Sequence, residues 1–93
     1  MFEQGVRVRG RYMTCFALAN GLTAPRLGIA ASAKMGNAVA RNRAKRLVRE
    51  LFRAKSPVKP IDVVFVPRRE IISAPWRDLE AEYSSALQRM AKL

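Results

Sequence analysis

The spacing of apolar and polar residues changes along the chain, and each change marks an element. Residues 6–9 read Val-Arg-Val-Arg, an alternation that predicts a short edge strand with Arg7 and Arg9 on one face. Residues 12–18 keep the period of two. They predict a strand with Tyr12, Thr14 and Phe16 on one face and Met13, Cys15 and Ala17 on the other. Asn20-Gly21 signals a turn that runs on through Pro25. Residues 26–32 read as another strand, and the short connection predicts antiparallel pairing with the strand before it.

After Asn37 the period lengthens to 3.6. Ala40, Ala44, Leu47, Val48 and Leu51 gather on one face of a helix over residues 37–54, with Asn37 as its N-cap. Ser56-Pro57 and Lys59-Pro60 break the chain. Residues 61–67 are nearly continuous β-branched and aromatic sequence, which predicts a central strand buried on both faces. The final helix, residues 74–91, starts after Ser73 with Pro75 in its first turn, and its apolar face is Trp76, Leu79, Tyr83, Leu87 and Met90. Residues 1–5 read as a last helical turn or a loose arm, stopped by Gly5.

This order predicts a single α+β domain over residues 1–93. It is a two-layer α/β sandwich whose four-stranded sheet carries two helices on one face. The opposite face, with Tyr12 and Phe16, then has no cover of its own. Two readings stand: the rings stack on the bases of single-stranded RNA, or a missing N-terminal helix, or Phe2 and its neighbours, covers them as ordinary core.

Charge sharpens the picture. Eighteen Lys and Arg against seven Asp and Glu give a net charge of +11. Residues 1–59 carry all of this excess, and residues 60–93 are balanced. Between Arg41 and Arg53 stand six cations and one acid, Glu50. Helical spacing lines up Asn42, Arg46, Arg49 and Arg53 opposite the apolar face, with Lys45 beside them and Arg41 and Arg43 on the flanks. Cations near a helix N-terminus oppose the macrodipole, at a cost of ~0.3–1 kcal/mol each when exposed. A polyanion lying across that end reverses the sign, because backbone N–H groups and guanidinium forks then meet the same phosphates. A stripe of nearly one sign, in which Glu50 at i+4 from Arg46 is the single acid, therefore points to nucleic acid.

The composition also excludes chemistry. There is no histidine, which removes His-based acid–base catalysis, nucleophilic dyads and His metal sites. The lone Cys15 sits in an apolar strand and reads as core. The acids are scattered, whereas a protein nuclease needs clustered carboxylates to hold Mg²⁺. A DNA-binding helix-turn-helix is disfavoured because no short helix precedes the basic one. No stretch suits a membrane span or a signal peptide, so a cytoplasmic setting is expected.

Residues 26–53, RLGIAASAKMGNAVARNRAKRLVRELFR, resemble the signature of the bacterial ribonuclease P protein subunit, whose hallmark is an RNR run. Here that run is Arg41-Asn42-Arg43, preceded by Lys34, Gly36, Asn37 and Ala38 and followed by Lys45, Arg46 and Arg49. Phe2 to Gly5 match the family's FxxG. The resemblance implies a ribosomal-protein-S5-domain-2-like fold with a left-handed βαβ crossover, against the usual handedness. It implies a monomer that binds ribonuclease P RNA and precursor tRNA, neither DNA nor membrane, while the RNA removes the 5′ leader with Mg²⁺. By position, Lys34, Arg41, Asn42, Arg43, Lys45, Arg46, Arg49 and Arg53 would contact the RNA. Phe2, Arg9, Arg11, Tyr12, Phe16 and Ser32 would form the leader cleft. The family usually has a basic segment and a first helix before the FxxG, and a lysine where Ala33 stands; without them one wall of the cleft and one phosphate contact are expected to be missing. The alternative is a structural RNA-binding protein of ribosomal type.

Overall fold

The computed structural model describes residues 5–91. Its strands are β1 (Val6–Arg9), β2 (Met13–Ala19), β3 (Arg26–Ile29) and β4 (Ile61–Pro67), and its helices are α1 (Ala38–Ala54) and α2 (Trp76–Met90). Two 3₁₀ turns, Ala33–Met35 and Arg69–Ser73, lead into α1 and away from β4. Phe2, expected in the leader cleft, lies outside the described residues.

The sheet order is β1-β2-β4-β3, with β3 and β4 parallel and the other neighbours antiparallel. The expected antiparallel pairing of β2 with β3 is not formed, because β4 lies between them. β4 matches β2 over seven residue pairs, from Met13↔Pro67 to Ala19↔Ile61, whereas β3 offers only four residues. Completing the longer ladder outweighs closeness in sequence. Strand β3 stops at Ile29, short of the expected Ser32. Ala30 still donates to the Phe65 carbonyl (2.9 Å), and the chain then tightens into the 3₁₀ turn.

Both helices pack on one face of the sheet. Met13, Cys15 and Ala17 of β2 and Ile61, Val63 and Phe65 of β4 meet Ala44, Val48 and Leu51 of α1 and Leu79, Tyr83, Ala86 and Met90 of α2 in one buried cluster. The Phe65 and Tyr83 rings lie 5.7 Å apart at 33°. The Tyr83 hydroxyl donates to the Lys55 carbonyl (2.6 Å), tying α2 to the end of α1, and burial raises its pKa. Strand β4 is central but buried on one face only: Asp62, Val64 and Val66 are half-exposed. Trp76, expected in the apolar face of α2, is 37% exposed. The helix starts there, behind Pro75, so Trp76 sits at the rim of the core.

One contact fixes α2 against the sheet. The Glu82 carboxylate accepts hydrogen bonds from three successive backbone N–H groups, of Arg11 (2.7 Å), Tyr12 (3.1 and 3.2 Å) and Met13 (3.0 Å). Gly10 makes room for it, since a Cβ there would collide with the carboxylate.

Candidate nucleic-acid interface

Helix α1 is built to hold its cations outward. Asn37 caps it, its side-chain Oδ1 accepting from the Ala40 N–H (3.0 Å), and the chain enters through Gly36 at φ 127°, a conformation open mainly to glycine. With Ala44, Val48 and Leu51 buried, the opposite side must face solvent. Asn42, Arg46, Arg49 and Arg53 line one shallow groove there, joined by Glu50. Arg43 is exposed, and Arg41 and Lys45 are half-buried, their stems lying along the flanks. Lys34 is exposed on the 3₁₀ turn just before the helix, and Ser32 is exposed at that turn's start without a side-chain hydrogen bond. Between described residues, the one side-chain ion pair is Arg26–Asp62, so none of the α1 cations is ion-paired there, although Glu50 shares their groove.

The second surface is the face of the sheet turned away from the helices. Strand register sets its rows: Arg9, Thr14 and Val66; then Arg7, Phe16, Val64 and Gly28; then Leu18, Asp62 and Arg26. The Arg7 guanidinium carbon stands 5.6 Å from the centre of the half-exposed Phe16 ring, close enough for a cation–π contact. Arg9 is exposed beside them. At the end of β4, Arg68 reaches back over this face. Its Nε donates to the Gly10 carbonyl and its Nη2 to Thr14 Oγ1, both at 3.2 Å, and this covers Thr14. At the other end, Arg26 grips Asp62 through two bonds of 2.6 and 2.7 Å, and Asn20 adds a third at 3.0 Å. These partners hold the Asp62 carboxyl down at about 2.

Tyr12 departs from the expected arrangement. It precedes β2 and leaves the face it was expected to share with Phe16. Its backbone N–H is held by Glu82, its ring is buried, and its hydroxyl points to Asp78 of α2 at 3.4 Å. The pull of the Glu82 carboxylate on the turn overrides the strand alternation. Arg11 is exposed and lies over the Tyr12 ring, 5.3 Å from its centre, so it too belongs to the α2 edge. Sequence reasoning passed over Thr14, Arg68 and Glu82 as site-forming residues. The parity of residues 64, 66 and 68 could have put Arg68 on the open face, but nothing local marks Glu82 as a backbone ligand.

Cys15 is buried, and desolvation pushes its thiol up to about 12, which leaves it inert. Among the described residues no group of three Cys, Asp or Glu could hold a metal ion, and no helix is long and apolar enough to cross a membrane. The arrangement thus offers cations on a rigid helix and an aromatic, cation-edged sheet face. It has the means to bind a polyanion.

The sequence profile of the family described as Ribonuclease P matches residues 1–91. The ribonuclease P protein component of Thermotoga maritima is 38% identical over 73 residues, which cover 76% of this chain and 62% of that protein. The chain therefore spans somewhat less than two thirds of such relatives. The corresponding protein of Caldanaerobacter subterraneus subsp. tengcongensis is 34% identical over 91 residues, covering 96% of this chain and 78% of the relative. Among solved structures, the T. maritima RNase P protein superposes with a TM-score of 0.82 at 32% identity, over 95% of this chain and 86% of that one. The Staphylococcus aureus RNase P protein gives a TM-score of 0.77 at 29% identity, over 94% and 82%.

Proposed function

The chain belongs to the ribonuclease P protein component family, and from that premise we propose that it works as the protein subunit of a ribonuclease P, binding the catalytic RNA through α1 and the 5′ leader of precursor tRNA on the open sheet face. The observation that carries the reading is the exposed, capped, predominantly cationic stripe of α1, with Arg46, Arg49 and Arg53 in one groove beside the lone acid Glu50 and, among the described residues, no ion pair to quench them. Lys34, Arg41, Asn42, Arg43 and Lys45 extend that surface around the start of the helix. The bound RNA offsets the dipole penalty that these cations impose on α1 in the free protein.

On the other surface Phe16 supplies a ring for one unpaired base, and Arg7 and Arg9 supply charge for the phosphates on either side. Ser32, exposed before the 3₁₀ turn, is assigned to its margin, whereas Arg11 and Tyr12 serve it only through the packing of the β1–β2 turn. Magnesium would be held by the RNA. Among the described residues no group of three acids could hold it: Asp62 is committed to Arg26, Glu82 to three backbone N–H groups, and Asp78 faces Tyr12. The subunit acts as a monomer in the cytoplasm, where precursor tRNA is processed.

Reconstitution tests this reading. The purified chain is mixed with a bacterial ribonuclease P RNA at a magnesium concentration too low for the RNA alone, and 5′ cleavage of precursor tRNA is followed. Restored cleavage is the expected result. Tight RNA binding without cleavage would favour a structural RNA-binding protein of ribosomal type, and absence of binding would sink the proposal.

A further inference from the structure

Trp76 stands out from the helix that carries it. It is the chain's one tryptophan, and 37% of it is exposed, whereas Leu79, Tyr83, Ala86 and Met90 on α2 are buried. The other exposed large apolar residues among those described are Leu22, Val39 and Val58, none of them aromatic. The inner side of Trp76 helps close a cleft of about 50 Å³ with Leu51, Ala54 and Lys55 at the end of α1 and Glu80 and Tyr83 of α2. So small a cleft has no room for a nucleobase, so a base can meet only the part of the ring that lies outside it. Cations border it: Lys55 directly follows the basic helix, Arg77 is the next residue of α2, and both are exposed. Glu80 is the single acid lining the cleft. A residue needed only to cover Leu51 and Tyr83 could be aliphatic and would not require an indole.

We propose that Trp76 is a base-stacking residue at the margin of the α1 interface: an unpaired nucleobase of the bound RNA lies on its outer ring face, with Lys55 and Arg77 meeting the adjacent phosphates. This rests on the reading of α1 as the RNA-binding surface, and it extends that surface onto α2. Stacking suits a site without hydrogen-bond readout, because every base offers a π face. Lys55, which lines the cleft beside Trp76, directly follows the last residue of α1 and links the two elements.

Because Trp76 is the only tryptophan, its fluorescence reports on this site alone. The full chain is titrated with bacterial ribonuclease P RNA. End-labelled RNA gives the affinity, while tryptophan emission and acrylamide quenching are read in the same solutions. Saturation with RNA is expected to quench the emission and at least halve the acrylamide sensitivity. Trp76→Leu, which keeps an apolar cover and removes the indole, should weaken RNA binding about tenfold. Trp76→Phe should lose much less, and circular dichroism should show both variants folded. RNA binding with unchanged emission and quenching, and a Trp76→Leu variant that binds like the parent, would reduce Trp76 to a cover and overturn the proposal. Protection of the indole that depends on protein concentration without RNA would assign the face to a second copy and overturn it equally. If labelled RNA does not bind the parent chain at all, the failure lies with α1, and the proposal goes with it.

Discussion

Glu82 accepts the N–H groups of Arg11, Tyr12 and Met13, and Gly10 leaves the space its carboxylate occupies. These are charge-assisted bonds across 69 to 71 residues of chain. Gly10→Ala forces the carboxylate away and strips them, so a loss of ~1–3 kcal/mol is expected in urea unfolding. Glu82→Gln, which keeps the volume, should fall in the same range. Asp62 sets a pH dependence. Its folded pKa, about 2, lies below the ordinary 3.8, so its stabilising contribution is complete above about pH 4 and disappears as pH falls through about 2. Thermal melts of Asp62→Asn should therefore lose part of the acid sensitivity that the parent shows in that window. At the residue scale, chemical type was readable in advance and partnership was not. An acid near the start of a helix suggests dipole stabilisation, and only packing reveals that Glu82 serves another element.

Helix α1 is the element most completely legible from sequence. Its cap, period and stop are local, and each acts within one or two turns. Asn37→Ala removes the bond to the Ala40 N–H and should cost ~1 kcal/mol, measured as a drop in the denaturation midpoint. Neutralising Arg46 and Arg49 to Gln should leave folding intact, since both are exposed. It should weaken RNA binding and flatten the dependence of log affinity on log salt by about one unit per lost phosphate contact. An unchanged slope would mean that these side chains face water in the complex. The strands were readable as strands, but their neighbours were not. The partner of β2 is β4, more than forty residues away, and it wins because it supplies seven pairs and a buried side to match.

At the scale of the whole molecule, the two proposed binding surfaces lie on different sides of the sheet. Removing the ring with Phe16→Ala should cost ~1–3 kcal/mol in binding of leader-bearing precursor tRNA by the reconstituted enzyme and leave mature tRNA nearly unaffected. Equal losses for both substrates, or a melted fold, would make Phe16 a core residue. The separation of the surfaces predicts independence: the Arg46/Arg49 change should act on RNA assembly and the Phe16 change on leader recognition, with additive effects.

The sequence by itself determined which segments are helical and extended, where the excess charge lies, and that the chain has no histidine. Those properties depend on residue type and short spacing. The tertiary structure alone decided that β4 separates β2 from β3, that Tyr12 turns to α2 while Phe16 stays on the face turned away from the helices, and that Arg68 returns over Thr14. Trp76 at the rim of the core belongs with these. Each depends on which distant groups satisfy a backbone ladder, a carboxylate or a buried surface, and that competition is resolved only when the whole chain is packed.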